Sequence, residues 1–177
     1  MNTNIISTSK DFSSQTHWST KAICLTAAMT AFVFLTTFVP RIPIPLGYAH
    51  LGDAAIFLMV LFLPQRPAFV AACLGSALAD LLGGFPLWIL PTLLIKFIMA
   101  WIAQKLAGHP VTTRSASIAF LAASIWMTAG YTAFGALLYN DLSAGLASAP
   151  GLFLEGILNT IAALFLLPIL QRTLHQR

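Results

Sequence analysis

The chain alternates long apolar runs with short polar or proline-rich breaks, and the alternation occurs six times. The first run, about Ala22 to Val39, stops at Pro40. The segment Pro40-Arg41-Ile42-Pro43-Ile44-Pro45-Leu46-Gly47 then lacks too many backbone donors to continue as helix. A second run, Leu51 to Leu63, is short for a hydrocarbon core of roughly 30 Å, so the proline-rich connector is expected to pack over its end and partly over a cavity. Pro64-Gln65-Arg66-Pro67 separates it from a third run, Ala68 to Leu82, which ends at Gly83-Gly84. The fourth runs from Pro86 to about Ala107 with a kink expected at Pro91, the fifth from about Ala116 to Leu138 and the sixth from about Gly151 to Leu170. Residues 1–20, rich in Ser and Thr, predict a mobile cytoplasmic tail rather than a removed signal, which leaves 21–172 as the membrane domain. The fold predicted is all-α: a polytopic membrane protein with six transmembrane helices in one bundle and a proline-rich first external loop.

Composition strengthens this picture. The 177 residues are 58% hydrophobic and 8% charged, with a mean hydropathy of +0.85, a profile that excludes an ordinary soluble domain. Cys24 and Cys73 fall inside predicted spans and read as small packing residues, not as a disulfide or a zinc site. The net charge of +4 is spread singly between apolar segments, which argues against a nucleic-acid partner. It reports topology instead. With six spans, Lys10, Lys21, Arg66, Lys105, Arg114, Arg172 and Arg177 share one side and Arg41 alone lies on the other, predicting cytoplasmic termini in the cell membrane.

Four ionisable residues, Asp53, Asp80, Lys96 and Glu155, sit within otherwise lipid-soluble stretches. Charges there cost several kcal/mol unless they face a protein-lined cavity, so they mark a candidate site. Sidedness and a rise of about 1.5 Å per residue place all four in the outer half. Glu155 and Asn159 share one helix face, as do Trp88, Thr92 and Lys96 on another and Ser76 with Asp80 on a third. These faces suit a small, flat, polar organic molecule, with Trp88 or Tyr131 available to stack. A purely structural reading stands beside this one, with Lys96 paired to Glu155 or Asp80 and Asp53 capping its helix.

Small residues recur every fourth position as Ala27 and Ala31, and as Ala71, Gly75, Ala79 and Gly83. Such stripes let helices approach closely in a membrane. The second predicts internal packing, and the first leaves open a helix from another subunit. No phosphate-cradling loop, G-x-S-x-G elbow or H-E-x-x-H motif occurs, and His17, His50, His109 and His175 have no metal-ligand spacing. Neither catalysis, a metal nor a cofactor is expected.

The ordered runs His50-Leu51-Gly52-Asp53, Ser76-Ala77-Leu78-Ala79-Asp80 and Pro91-Thr92-Leu93-Leu94-Ile95-Lys96 resemble the substrate-binding S components of energy-coupling factor (ECF) vitamin transporters, nearest to the riboflavin-type branch. That branch also contains proteins assigned to pyridoxine or hydroxymethylpyrimidine. The resemblance implies a lipid-embedded binding protein that captures a vitamin or precursor outside. It implies delivery through a transmembrane coupling protein and two cytoplasmic ATPases, which hydrolyse the ATP. It also implies that Ala27 and Ala31 meet the coupling protein and that Arg41 through His50, including Gly47, gate the pocket. Metal-transporting relatives carry an N-terminal His segment, which Met1-Asn2-Thr3 lacks. The candidate substrate-binding residues are Asp53, Asp80, Trp88, Thr92, Lys96, Tyr131, Glu155 and Asn159. A stand-alone proton-coupled secondary carrier, with Asp80, Lys96 and Glu155 as its relay, is the alternative; no inverted repeat supports it. A membrane enzyme or assembly factor is a third reading, without a recognisable nucleophile and base.

Overall fold

The computed structural model describes residues 18–175, with side chains to residue 173. Residues 1–17 of the expected tail, with Lys10, His17 and Met1-Asn2-Thr3, and the terminal Arg177 lie outside the described residues, while the tail's last residue, Thr20, already begins the first helix, capped by Ser19. Among the described residues, six helices form the bundle: α1 (Thr20–Phe38), α2 (Gly52–Phe62), α3 (Gln65–Gly83), α4 (Ile89–Ala107), α5 (Thr113–Leu138) and α6 (Leu142–His175). Five of the six are long and apolar enough to cross a membrane. The exception, α2, has 11 residues, a length of about 16 Å, and α1, α3, α4 and α6 pack around it.

The connector Pro40–Leu51 folds into an antiparallel hairpin, β1 (Ile42–Ile44) and β2 (Gly47–Ala49), with Ile44 opposite Gly47. It completes the bundle over the start of α2, as the shortness of that helix requires. The expected kink at Pro91 takes another form. Pro86–Trp88 make a 3₁₀ turn, and Pro91 falls in the first turn of α4, where its missing N–H leaves no helical bond unmade. The sixth helix starts earlier than the apolar pattern suggests, at Leu142, with Pro150 inside it. Asp141 starts it, its carboxylate accepting from the N–H groups of Ser143 (2.8 Å) and Ala144 (3.3 Å).

α1 packs against α3, α3 against α4, α4 against α5 and α5 against α6. The small-residue stripe on α3 serves the first of these contacts. A Cβ on Gly75 would lie 2.7 Å from Val33 Cβ and 2.8 Å from the Thr30 carbonyl, so the backbones meet there. Ala27 and Ala31, by contrast, are exposed and border an apolar groove with Phe34, Leu74 and Leu78. Alternating helix directions place Lys21, Arg66, Lys105, Arg114 and Arg172 at the end where α1 begins, and Arg41 at the hairpin end. The half nearest the termini is packed with alanines and large apolar groups, including Phe57 stacked on Phe120 at 4.7 Å.

Candidate substrate-binding site

The polar residues gather at the hairpin end. The hairpin contributes Ile44 to Tyr48 and then His50 to a cavity whose other walls are Asp80 of α3, Phe85 and Trp88 before α4, Tyr131 of α5, and Ser148, Leu152 and Glu155 of α6. Its free volume is about 50 Å³. That is room for a few waters at most, against roughly 300–1,000 Å³ in sites holding drug-sized ligands. Leu46 at the hairpin tip holds φ of 64°, a left-handed conformation costly for leucine, and its side chain lines the cavity.

Four sequence-derived candidates line the cavity: Asp80, Trp88, Tyr131 and Glu155. The other four, Asp53, Thr92, Lys96 and Asn159, lie behind it at 0–1% exposure. Lys96 Nζ bonds Asp53 Oδ1. This pairing differs from both structural alternatives read from sequence, because α2 and α4 face each other and Asp53 makes no cap, sitting in the first turn beyond Leu51. Two charges with so little water must hold one another, and the positive end of the α2 dipole adds to the stabilisation of Asp53.

Asn159 secures the same junction. Its Oδ1 accepts from Ala54 N at 2.8 Å, and its Nδ2 donates to the carbonyls of His50 at 2.7 Å and Glu155 at 2.9 Å. Free N–H groups at the start of a buried helix need such partners. Thr92 works similarly on Asp80: its hydroxyl donates to Asp80 Oδ2 while accepting from the Tyr131 hydroxyl at 3.1 Å.

From the hairpin side, the Tyr48 hydroxyl donates to Asp80 Oδ1 at 3.1 Å, and the His50 N–H donates to Glu155 Oε1 at 3.3 Å. Burial, with the Asp80 charge beside it, pushes the Tyr48 hydroxyl well above its ordinary range, so it remains a donor. His50 Nδ1 accepts from Gly52 N at 3.2 Å and faces Glu155 Oε1 at 3.0 Å. Two lone pairs do not approach so closely without a proton between them. Burial first, and then the Lys96 ammonium, lower His50 to about 4, so the imidazole is neutral near pH 7.

Arg41 anchors the outer edge of the hairpin. Its guanidinium lies 3.9 Å from the Phe38 ring and 4.4 Å from that of Tyr48, and its Nη2 donates to the Ala79 carbonyl at 3.2 Å. A Cβ at Gly83 would come within 2.6 Å of Nη2, so this glycine makes room for the contact. Gly47 joins the hairpin strands and lines the cavity. Tyr48 and Leu46 fall within the gate expected over Arg41 through His50 but carry no individual signal there, and Ser148 and Phe85 are cavity residues that the sequence reading does not single out.

Known proteins give this geometry a context. A family model described as ECF-type riboflavin transporter, S component, matches residues 17–175. A protein of Pyrococcus woesei, described as "Uncharacterized protein in gap 3'region", is 43% identical over 84 residues, 44% of this chain and 55% of that protein. The chain thus spans about half the length of this curated relative. A multi-pass bundle with a hairpin-covered polar cavity, matched almost throughout by one family model, belongs to the ECF-type riboflavin transporter S component family.

Proposed function

We propose that this chain is a high-affinity substrate-binding component, capturing a small water-soluble vitamin or precursor at the outer face of the cell membrane. It hands the molecule to a transmembrane coupling protein driven by two cytoplasmic ATPases. The observation that carries this reading is the cavity between hairpin and bundle, walled by separate elements that bring hydrogen-bonding groups and aromatic faces together. Family membership supports transport as its purpose. Both termini are cytoplasmic in this reading, residues 1–20 form a tail and 21–172 the membrane domain. The five basic residues at the terminal end favour that orientation.

Asp80, Trp88, Tyr131 and Glu155 contact the substrate, while Asp53, Thr92, Lys96 and Asn159 hold those groups and the start of α2 in place. The hairpin from Arg41 through Gly47 to His50 is the gate. With about 50 Å³ free, a vitamin is admitted only when the gate lifts and Leu46 withdraws. The exposed Ala27–Ala31 face meets the coupling protein, since small side chains let a second helix approach closely. Calorimetric titration of the purified protein with B vitamins, pyrimidines and queuosine-type precursors tests the reading, with nanomolar-to-micromolar binding expected for one class. Uptake that continues in cells lacking any ATPase partner, and collapses with the proton gradient, would instead establish the stand-alone carrier.

A further inference from the structure

The two acidic groups on the cavity wall are both occupied by the gate itself. The Tyr48 hydroxyl donates to Asp80 Oδ1 and the His50 N–H to Glu155 Oε1, so the closed hairpin supplies one donor to each. Lifting the hairpin withdraws both donors at once. The incoming molecule must replace them, because a buried carboxyl group stripped of its donor costs about 1–3 kcal/mol or more.

Among the described residues, the same walls offer no cation. Lys96 lies behind the cavity and is bonded to Asp53, and Arg41 is turned to the last turn of α3 between two aromatic rings. His50, the remaining basic group on the lining, is neutral near pH 7. One further polar group on the wall, Trp88 Nε1, is buried without a hydrogen-bond partner, so the site also asks for one acceptor atom. Tyr131 lies 5.6 Å from Trp88, centroid to centroid, and Phe85 lies 5.5 Å from Tyr48, which makes aromatic walls for a flat ring.

Resting on the vitamin-capture reading, we propose that the cavity selects a flat heterocycle bearing at least two hydrogen-bond donors, one acceptor and no anionic group. Its donors take the places that Tyr48 and His50 hold on Asp80 and Glu155. Phosphorylated and carboxylated forms of the same vitamin are turned away. An anionic substituent would meet the Asp80 carboxylate, which accepts from Tyr48 and Thr92, with no countercharge on the wall, and like charges brought together in an interface cost several kcal/mol.

Matched pairs make the test: riboflavin against riboflavin 5′-phosphate, and pyridoxine against pyridoxine 5′-phosphate or its 4-carboxylic acid, titrated calorimetrically into the purified full chain. In whichever pair binds, the anionic member should be at least about tenfold weaker, and Asp80→Asn should shrink that ratio. Asp80→Ser serves as the second variant if Asp80→Asn fails to fold. Equal or tighter binding of the anionic member, or a ratio unchanged by the folded variant, overturns the selection rule while leaving vitamin capture standing. Binding of neither member of any pair, with the wider vitamin panel also silent, overturns both.

Discussion

The two ends of the bundle solve the same packing problem differently. Toward the termini, Ala100, Ala103, Ala107, Ala116 and Ala119 close around Phe57, Met99 and Phe120, with few polar groups to satisfy. Toward the hairpin, Asp53, Lys96, Thr92, Glu155, Asn159 and Asp80 are brought into a region where each needs a partner. Lipid gives no hydrophobic drive for helix association, so the first end coheres by close packing and the second by bonds of fixed geometry. On the capture reading, the groups of the polar end are the ones that must move when a substrate arrives. On the proposed reading, function sits at the end that is harder to build.

Breaking the buried ion pair should have the largest effect. Lys96→Met leaves Asp53 uncompensated at 1% exposure and should lower stability by about 3–5 kcal/mol, with much of that regained in the Asp53→Asn/Lys96→Met double variant. Thermal unfolding in detergent measures both, and a single variant as stable as the parent would refute the pairing. Acidification should come next. Because the folded His50 value is depressed from 6.5 to about 4, the stabilisation from its neutral form is complete above pH 6.5 and lost as pH falls toward 4. The loss amounts to roughly 3 kcal/mol. The melting temperature of the parent should therefore fall more steeply over that window than that of His50→Gln; parallel curves would contradict the assignment.

At the other end, Phe120→Ala removes one ring of the Phe57 stack and should cost about 2 kcal/mol, below the usual water-solvated value because lipid leaves mainly the cavity contribution. Vitamin affinity of the folded fraction should not change. A loss of affinity equal to that from a cavity-wall variant would erase the division between the ends. The smallest effect belongs to Tyr131→Phe, which removes the donor to Thr92 and so loosens Asp80. It should weaken vitamin binding by about fivefold, or roughly 1 kcal/mol, with little change in melting temperature.

Much of the fold was legible because helix length and apolar runs carry it. Five of the six predicted spans are helices of crossing length, and the shortness of α2 already implied a cap from the proline-rich connector. The early start of α6 was hidden because Pro150 and the small residues around it read as a break, whereas packing against α5 carries the helix through. At the site, spacing identified shared faces but not depth. Thr92 and Lys96 share a face with Trp88, yet only Trp88 reaches the cavity wall. The partner of Lys96 was equally out of reach of the pattern, since it depends on which helices meet α2. Tyr48 carries no periodicity signal because it sits in a hairpin, and its role follows from the hydrogen bond that the folded hairpin lets it donate to Asp80.

The most direct measurement is native mass spectrometry of the detergent-solubilised full chain in the presence of the vitamin panel. The account predicts one bound vitamin-like molecule per chain in the parent and its loss in an Asp80→Asn/Glu155→Gln variant that remains folded. A parent that carries nothing across the whole panel, or a ligand retained at equal occupancy by the variant, would contradict capture in this cavity.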